Sequence, residues 1–383
     1  MARKLKLGFI GCGAIARLKH FPALMKLKNR VHLVAFCDIT KERATKAAAD
    51  FGEPGARVYV QYTELLRDDS LDVIYVLTPN VSHCEITVSA LSAGKHVLCE
   101  KPMAITYAEA KNMLEAAKRS GKKLTIGYQN RFRGDSQLLY RACRNGDLGE
   151  IYFAKAHALR RRAVPTWGVF SDKAKQGGGP LIDIGTHALD LALWTMDNYK
   201  PKRVLGSVFY KLKDKPEGNL FGPWDPKTHQ VEDSAFGLIT MENGATVYLE
   251  ACWALNILNT KEAQVTLCGT EAGAEMFGDA APPTSPVNVG YVVFNRVQHD
   301  RLVEIRPSAS IASPADFGEA AIRVGDVETA SWLDAVLNDT QPVVRPEQAL
   351  VVTQILEAIY QSAQTGRAIE LTSNDALQAV STT

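Results

Sequence analysis

The sequence predicts a chain in two parts: an α/β part built on a parallel sheet, then an α+β part with a large, mostly antiparallel sheet. Three observations predict this. Residues 1–128 alternate short apolar runs with helix-like stretches, whereas 129–383 turn to strands of period-two alternation joined by tight turns. The length, 383 residues, exceeds what one ordinary core organises. Composition is 46% hydrophobic and 22% charged, enough apolar material for packed domains and against extensive disorder.

Residues 6–10 are the first strand. Gly11, Gly13 and Ala16 follow, with Ala14 and Ile15 opening a helix that runs to about residue 28; strand 31–37 then ends at Asp38. A G-x-G-x-x-A turn between strand and helix is the dinucleotide-binding fingerprint of a Rossmann domain. Gly11 permits the tight turn, Gly13 lets the backbone approach a pyrophosphate, and Ala16 keeps helix and strand close. The first N–H groups of the helix are offered to the phosphates. Asp38, 22 residues past Ala16, is placed to accept hydrogen bonds from adenosine ribose hydroxyls and to repel a 2′-phosphate, which favours NAD over NADP. Lys41 and Arg43 behind it soften that preference. The competing use of Asp38 is to cap the helix starting near Lys41.

The alternation continues through strand 58–60, a helical turn at 62–67, strand 72–77, helix 81–93, the HVLCEKP segment, helix 106–120 and strand 123–128. Ligands of such sheets sit at the carboxyl ends of strands, where Thr78-Pro79-Asn80 and Glu100-Lys101-Pro102 fall, with Asn130 just past the last strand.

In the second part, strands are expected at 151–158, 203–212, 234–241, 245–254 and 262–268, with Glu242-Asn243-Gly244 as a hairpin turn. Residues 278–313, rich in Pro and Gly, read as a long loop, and 344–364 as a final amphipathic helix stopped by Gly366. Residues 177–196, GGGPLIDIGTHALDLALWTM, stand out. A core helix needs neither Asp183 nor His187, which are costly to bury unless paired. On a helix starting near 183 the two share a face. The three glycines read as a side-chain-free approach that leaves room for a ligand.

Other classes are excluded. A net charge of +2 provides no field for nucleic acid, and Arg160-Arg161-Arg162 is too short for a basic tail. The seven cysteines form no CxxC pair and no dense framework, which predicts a reduced, cytoplasmic protein without a metal site. The N-terminus imitates a signal peptide, but its apolar stretch ends at Arg17, Lys19 and His20. No run approaches the ~20 apolar residues of a membrane span.

The fingerprint, Thr78-Pro79-Asn80 with His83, Glu100-Lys101-Pro102 and GGGPLIDIGTHALD together resemble one family over nearly the whole chain: the glucose–fructose oxidoreductases and inositol dehydrogenases, which are NAD(P)-dependent sugar and cyclitol oxidoreductases. The resemblance implies that Lys101 is the catalytic-site lysine between nicotinamide and substrate, Glu100 lies beside the nicotinamide ribose, and the Lys101–Pro102 bond is cis. It implies that Thr78, Pro79, Asn80 and His83 line the cofactor. Asp183 and His187 receive the substrate hydroxyl, Asn130 faces substrate or nicotinamide, and Arg162 and Trp167 face the cofactor. It further implies a dimer or tetramer formed through the second sheet; Val247, Tyr248 and Trp253 are candidates for its outer face, although an ordinary core would use them too.

Oxidation of a secondary alcohol removes a hydride from carbon and a proton from oxygen. An unperturbed histidine, pKa ~6.5, suits the proton. His187 is therefore the expected base, Asp183 orients it and stabilises the imidazolium, and Lys101 polarises the hydroxyl; exchange of the Lys101 and His187 roles stays open. The aromatic, charged loops 160–167 and 221–229 suit a carbohydrate ring. The expectation is oxidation of a sugar or glycoside, at the 3-position of a glucose-type ring, with an inositol dehydrogenase as the alternative. A non-catalytic NAD-binding regulator would depart from Lys101, Asp183 or His187, and all three are present.

Overall fold

The computed structural model describes residues 3–278, 290–307 and 322–371. The chain divides into two units, Met1–Gln129 with Ile322–Leu350, and Asn130–Ala321 with Val351–Thr383.

The first unit is a six-stranded parallel sheet of β1 (Leu5–Ile10), β2 (Val31–Cys37), β3 (Arg57–Tyr59), β4 (Val73–Val76), β5 (His96–Cys99) and β6 (Leu124–Ile126), in the order β3-β2-β1-β4-β5-β6. The strands are joined through α1 (Phe21–Met25), α2 (Lys41–Phe51), α3 (Tyr62–Leu66), α4 (His83–Ser92) and α5 (Tyr107–Ser120). Leu7, Phe9, Val73 and Tyr75 are fully buried, because helices cover both faces of such a sheet. Strand order reverses between β1 and β4, the switch point at which ligands of this architecture bind. The boundaries of α5 were readable because Thr106 and Glu109 form a capping box and Gly121 closes the helix at a left-handed φ.

The first helix differs from the single regular one expected. Ala16–His20 is a π-helical segment and α1 ends at Met25. Such wide turns occur mostly at functional sites. Here the segment carries Lys19 and His20 into the interior, where both are fully buried.

The second unit contains α6 (Gly134–Arg144), β7 (Ile151–Leu159), α7 (Lys173–Gln176), α8 (Thr186–Met196), β8 (Pro201–Phe209), β9 (Ser234–Met241), β10 (Thr246–Cys252), β11 (Lys261–Gly269), β12 (Gly273–Phe277), β13 (Tyr291–Gln298) and β14 (Arg301–Ile305). Beyond these come α9 (Val324–Leu337), α10 (Pro346–Thr365) and β15 (Ile369–Glu370). The nine-stranded sheet runs β14-β13-β12-β11-β7-β10-β9-β8-β15, antiparallel throughout except between β7 and β10.

Three departures from the sequence reading have physical causes. A boundary at 128/129 assigns 322–350 to the second part, yet this segment folds into the first. Trp332, Leu333 and Ala335 of α9 belong to the core that contains Leu5, Phe9 and Phe21. The β13–β14 hairpin lies inside the stretch read as a loop. Its two turn residues, His299 and Asp300, take left-handed φ angles of 51° and 56° without the Asn-Gly or Gly signature that announces such a turn. The rest of that loop, 279–289 and 308–313, falls outside the described residues. Val247 and Trp253, read as outer residues, are fully buried: alternation along β10 turns 247, 249 and 251 inward and leaves the even positions facing out. The open face instead carries Leu205, Leu238 and Tyr248 in one row across β8, β9 and β10.

Candidate active site

In the first unit the expected cofactor residues gather at the carboxyl ends of β1, β2, β4 and β5. Gly11 has φ +95°, and a Cβ there would sit 2.5 Å from the Leu77 carbonyl oxygen, so the protein's own packing demands glycine. Gly13 differs. A Cβ there would meet nothing within 4 Å, so the chain itself does not require its bareness. The open space before the helix that starts at Ala14 and Ile15 suits a phosphate, which first-turn N–H groups bind readily. The residues present thus fit a dinucleotide.

Asp38 is buried at the tip of β2. Its Oδ2 accepts a hydrogen bond from Cys12 N at 2.9 Å, and Oδ1 one from Thr40 N at 2.9 Å. The N-cap of α2 is Thr40, so the capping use of Asp38 does not occur. The carboxylate braces the glycine turn through Cys12 N. Asp38→Ala is expected to shift the NAD:NADP ratio of kcat/KM towards NADP by about tenfold, the size of one charge-assisted hydrogen bond. An unchanged ratio would leave Asp38 with the turn alone.

Thr78, Pro79 and Asn80 follow β4. His83, at the start of α4, is fully buried, with its two ring nitrogens 2.8 Å from Pro102 O and 2.9 Å from Thr78 O. Burial lowers its pKa, opposed by those two carbonyls. His83 therefore ties the 78–80 loop to the 101–102 turn instead of projecting from it. Lys101–Pro102 is cis. Glu100 is likewise turned inward: Oε1 accepts from Lys19 Nζ at 2.8 Å and lies 2.7 Å from His20 Nε2, and Oε2 accepts from Lys101 N at 3.2 Å. Burial alone would raise its carboxyl, but Lys19 and His20 hold it well below the ordinary value. Lys19 also pairs with Glu328 of α9 at 2.7 Å, and burial pushes the Glu328 carboxyl up to about 7. The tripeptide that carries Lys101 is thus anchored by a buried ionic network. Nothing in the local sequence announced it, because Lys19 and Glu328 lie more than 300 positions apart.

In the second unit the GGGP stretch is held by residues from two distant segments. Glu232 is buried; its oxygens accept from Gly179 N at 2.9 and 3.0 Å, from Leu181 N at 3.2 Å and from Tyr360 Oη at 2.8 Å. Burial raises its pKa against these donors. A Cβ on Gly178 would sit 2.0 Å from Tyr360 Oη, and one on Gly179 2.6 Å from the Glu232 carbonyl oxygen. This corrects the reading of the glycines as room for a ligand: that room is filled by Tyr360, Val231 and Glu232. Leu181–Gly185 is a second π-helical segment and runs directly into α8. Asp183 lies within it and His187 in the first turn of α8.

Asp183 Oδ2 accepts a hydrogen bond from Trp253 Nε1 at 3.1 Å. Arg160, in bidentate contact with Glu262 at 2.5 and 2.6 Å, keeps its charge despite burial through Glu262, and Asp183 adds to that hold. Asn130 is buried, and its neighbour Arg131 grips Asp190 of α8 through two bonds of 2.9 and 2.5 Å, with its guanidinium 5.3 Å over the Trp194 ring. Asn130 and His187 are thereby fixed to one frame. Arg162, by contrast, donates to Lys215 O and Asn256 Oδ1, while Trp167 stands exposed in the same loop. Sequence reasoning missed Glu232, Tyr360 and the bond from Trp253.

Among the described residues no group of three His, Cys, Asp or Glu side chains gathers as a metal would need, and no helix is long and apolar enough to cross a membrane. Residues 5–128 match the oxidoreductase family described by its NAD-binding Rossmann fold, and 141–371 match the same family's C-terminal alpha/beta domain. The chain is 36% identical over 367 residues to D-glucoside 3-dehydrogenase of Escherichia coli, covering 96% of this chain and 97% of that one. It is 30% identical over 202 residues to an inositol 2-dehydrogenase of Salmonella typhimurium, covering 52% and 57%. Among solved structures, levoglucosan dehydrogenase in complex with NADH and levoglucosan superposes with a TM-score of 0.79 at 22% identity, over 97% of this chain and all of that one.

Proposed function

Because the chain belongs to the GFO/IDH/MocA family of NAD-dependent oxidoreductases, we propose that it oxidises a secondary ring hydroxyl of a D-glucoside, at the 3-position, to a ketone. The observation that carries this reading is the Asp183 carboxyl, bonded by Trp253 Nε1 at 3.1 Å, four positions before His187. NAD, when bound, accepts the hydride. His187 takes the hydroxyl proton, Asp183 orients the imidazole and stabilises its charge, and Lys101 polarises the hydroxyl against the developing alkoxide. Gly11, Gly13, Ala14 and Ile15 hold the pyrophosphate, Asp38 the ribose, and Thr78, Pro79 and Asn80 the path to the nicotinamide. Glu100 and His83 act from behind as braces. Asn130 faces the substrate.

The test is NADH absorbance on mixing the protein with NAD and glucose, methyl glucosides, galactose or myo-inositol. Signal with glucosides is expected. Signal with inositol alone would make the protein an inositol dehydrogenase; silence with nucleotide retained would mean a tightly held cofactor that needs a keto-sugar acceptor, and silence without it a binding protein.

The open row Leu205, Leu238 and Tyr248 supports a homo-oligomer formed through this sheet face. Light scattering should give the mass of two or four chains; the mass of one would overturn this. The seven cysteines, all unpaired, support a cytoplasmic location.

A further inference from the structure

Two loops of the second unit, 160–172 and 211–230, hold large apolar side chains out of the core. Trp167 is 49% exposed, Phe221 41% and Leu220 74%. Scattered exposed apolar residues are ordinary, but a cluster of them calls for a partner. These form a row. Trp167 meets Phe221 edge-to-face at 4.8 Å and Phe170 at 6.0 Å. Phe170 meets Trp253 at 6.3 Å, and Trp253 donates to Asp183. The rings lead without a break from solvent to the carboxylate beside the proposed base.

The loops are sewn together by polar contacts. Asn219 accepts from Val164 N at 2.8 Å and donates to Val164 O at 3.0 Å and Gly222 O at 2.6 Å. Thr166 Oγ1 donates to Phe221 O at 2.8 Å, Leu220 N to Arg162 O at 2.9 Å, and Gln230 N to Ser171 O at 3.0 Å. Trp224, buried beneath, donates its indole N–H to Lys213 O at 2.7 Å. The exposed rings are therefore preorganised, which is how a binding wall limits the entropy cost of a ligand. Of the three arginines opening the first loop, Arg160 is bound to Glu262 and Arg162 to Lys215 O and Asn256, so neither guanidinium projects over the rings.

We propose, resting on the glucoside reading above, that Trp167 and Phe221 form an aglycone subsite. The glucose ring presents its hydroxyl to Asp183 and His187, while a planar apolar group on the anomeric carbon packs against the two rings. The substrate class is then aryl or similarly apolar D-glucosides in preference to free glucose. This gives Trp167 a role towards substrate in place of the cofactor-facing one implied by resemblance.

The test compares kcat/KM for phenyl and methyl β-D-glucoside in the native protein, Trp167→Ala and Phe221→Ala, with KM for NAD measured alongside. The native protein should favour the phenyl glucoside. Each variant should lower the phenyl:methyl ratio roughly tenfold, as loss of an aromatic pair and its buried area does. A ratio that stays constant would overturn the subsite, as would an effect confined to the KM for NAD. Turnover of the methyl glucoside with a constant ratio would sink the subsite alone, whereas absence of NADH from either glucoside in the native protein would sink the glucoside reading itself.

Discussion

His187→Ala is expected to lower kcat by about 10²-fold or more while NAD still binds, because general-base catalysis contributes on that scale. The expectation rests on rigidity as much as on chemistry. His187 sits in the first turn of α8; the turn that leads into it is clamped by Glu232 at Gly179 and Leu181, and its next turn is gripped by Arg131 through Asp190. A group held this way loses little entropy on reaching a hydroxyl. Lys101→Ala should cause a comparable loss, and the two variants separate the roles of the pair. The variant that loses the proton acceptor also loses the acid limb of the kcat/KM–pH profile; the other keeps the limb at a lower plateau. Near-native turnover in both variants, with nucleotide binding followed by NADH fluorescence, would remove this pair from the chemistry.

Glu232→Gln is expected to cost about 2–4 kcal/mol in stability, measured as the shift in urea midpoint at constant m-value. The carboxylate faces backbone N–H groups of Gly179 and Leu181 and the Tyr360 hydroxyl, all donors. A glutamine turns an NH2 group towards one of them and leaves buried donors unsatisfied. Tyr360→Phe removes one of these bonds and should cost about 1 kcal/mol. Turnover should fall with stability in Glu232→Gln, because the clamped turn leads within a few residues to Asp183. A loss below ~0.5 kcal/mol would mean that the Glu232 carboxyl does not serve there as an anion.

The parallel sheet was legible because its strands are apolar runs and its turns carry glycine, proline and caps at positions where the backbone needs them. The same holds for Gly11, whose glycine is demanded by the Leu77 carbonyl, and for Gly13, whose glycine is not demanded by the chain at all. Asp183 and His187 were legible as charges out of place in an apolar helix. What escaped were pairings across long separations. Glu232 and Tyr360 meet Gly178 and Gly179 from 53 or more positions away, and Lys19 meets Glu328 from the far end of the chain. No period or motif encodes such meetings. The outward face of β10 was misread for a different reason: Val247 and Trp253 are apolar, yet so is Tyr248 between them, so the alternation alone did not say which parity faces the helices.

The nucleotide-binding unit draws its last pieces, 322–350, from beyond the first eight strands of the nine-stranded sheet, and Trp332 and Leu333 fill its core. During synthesis its first 129 residues therefore leave the ribosome with a gap in their interior. At about 5–20 residues per second the missing helix arrives some tens of seconds later. Over that interval the complete but uncovered sheet is the part of the nascent chain most in need of a chaperone, and ribosome stalling anywhere between residues 130 and 321 strands a fragment that has its glycine turn but not its full core.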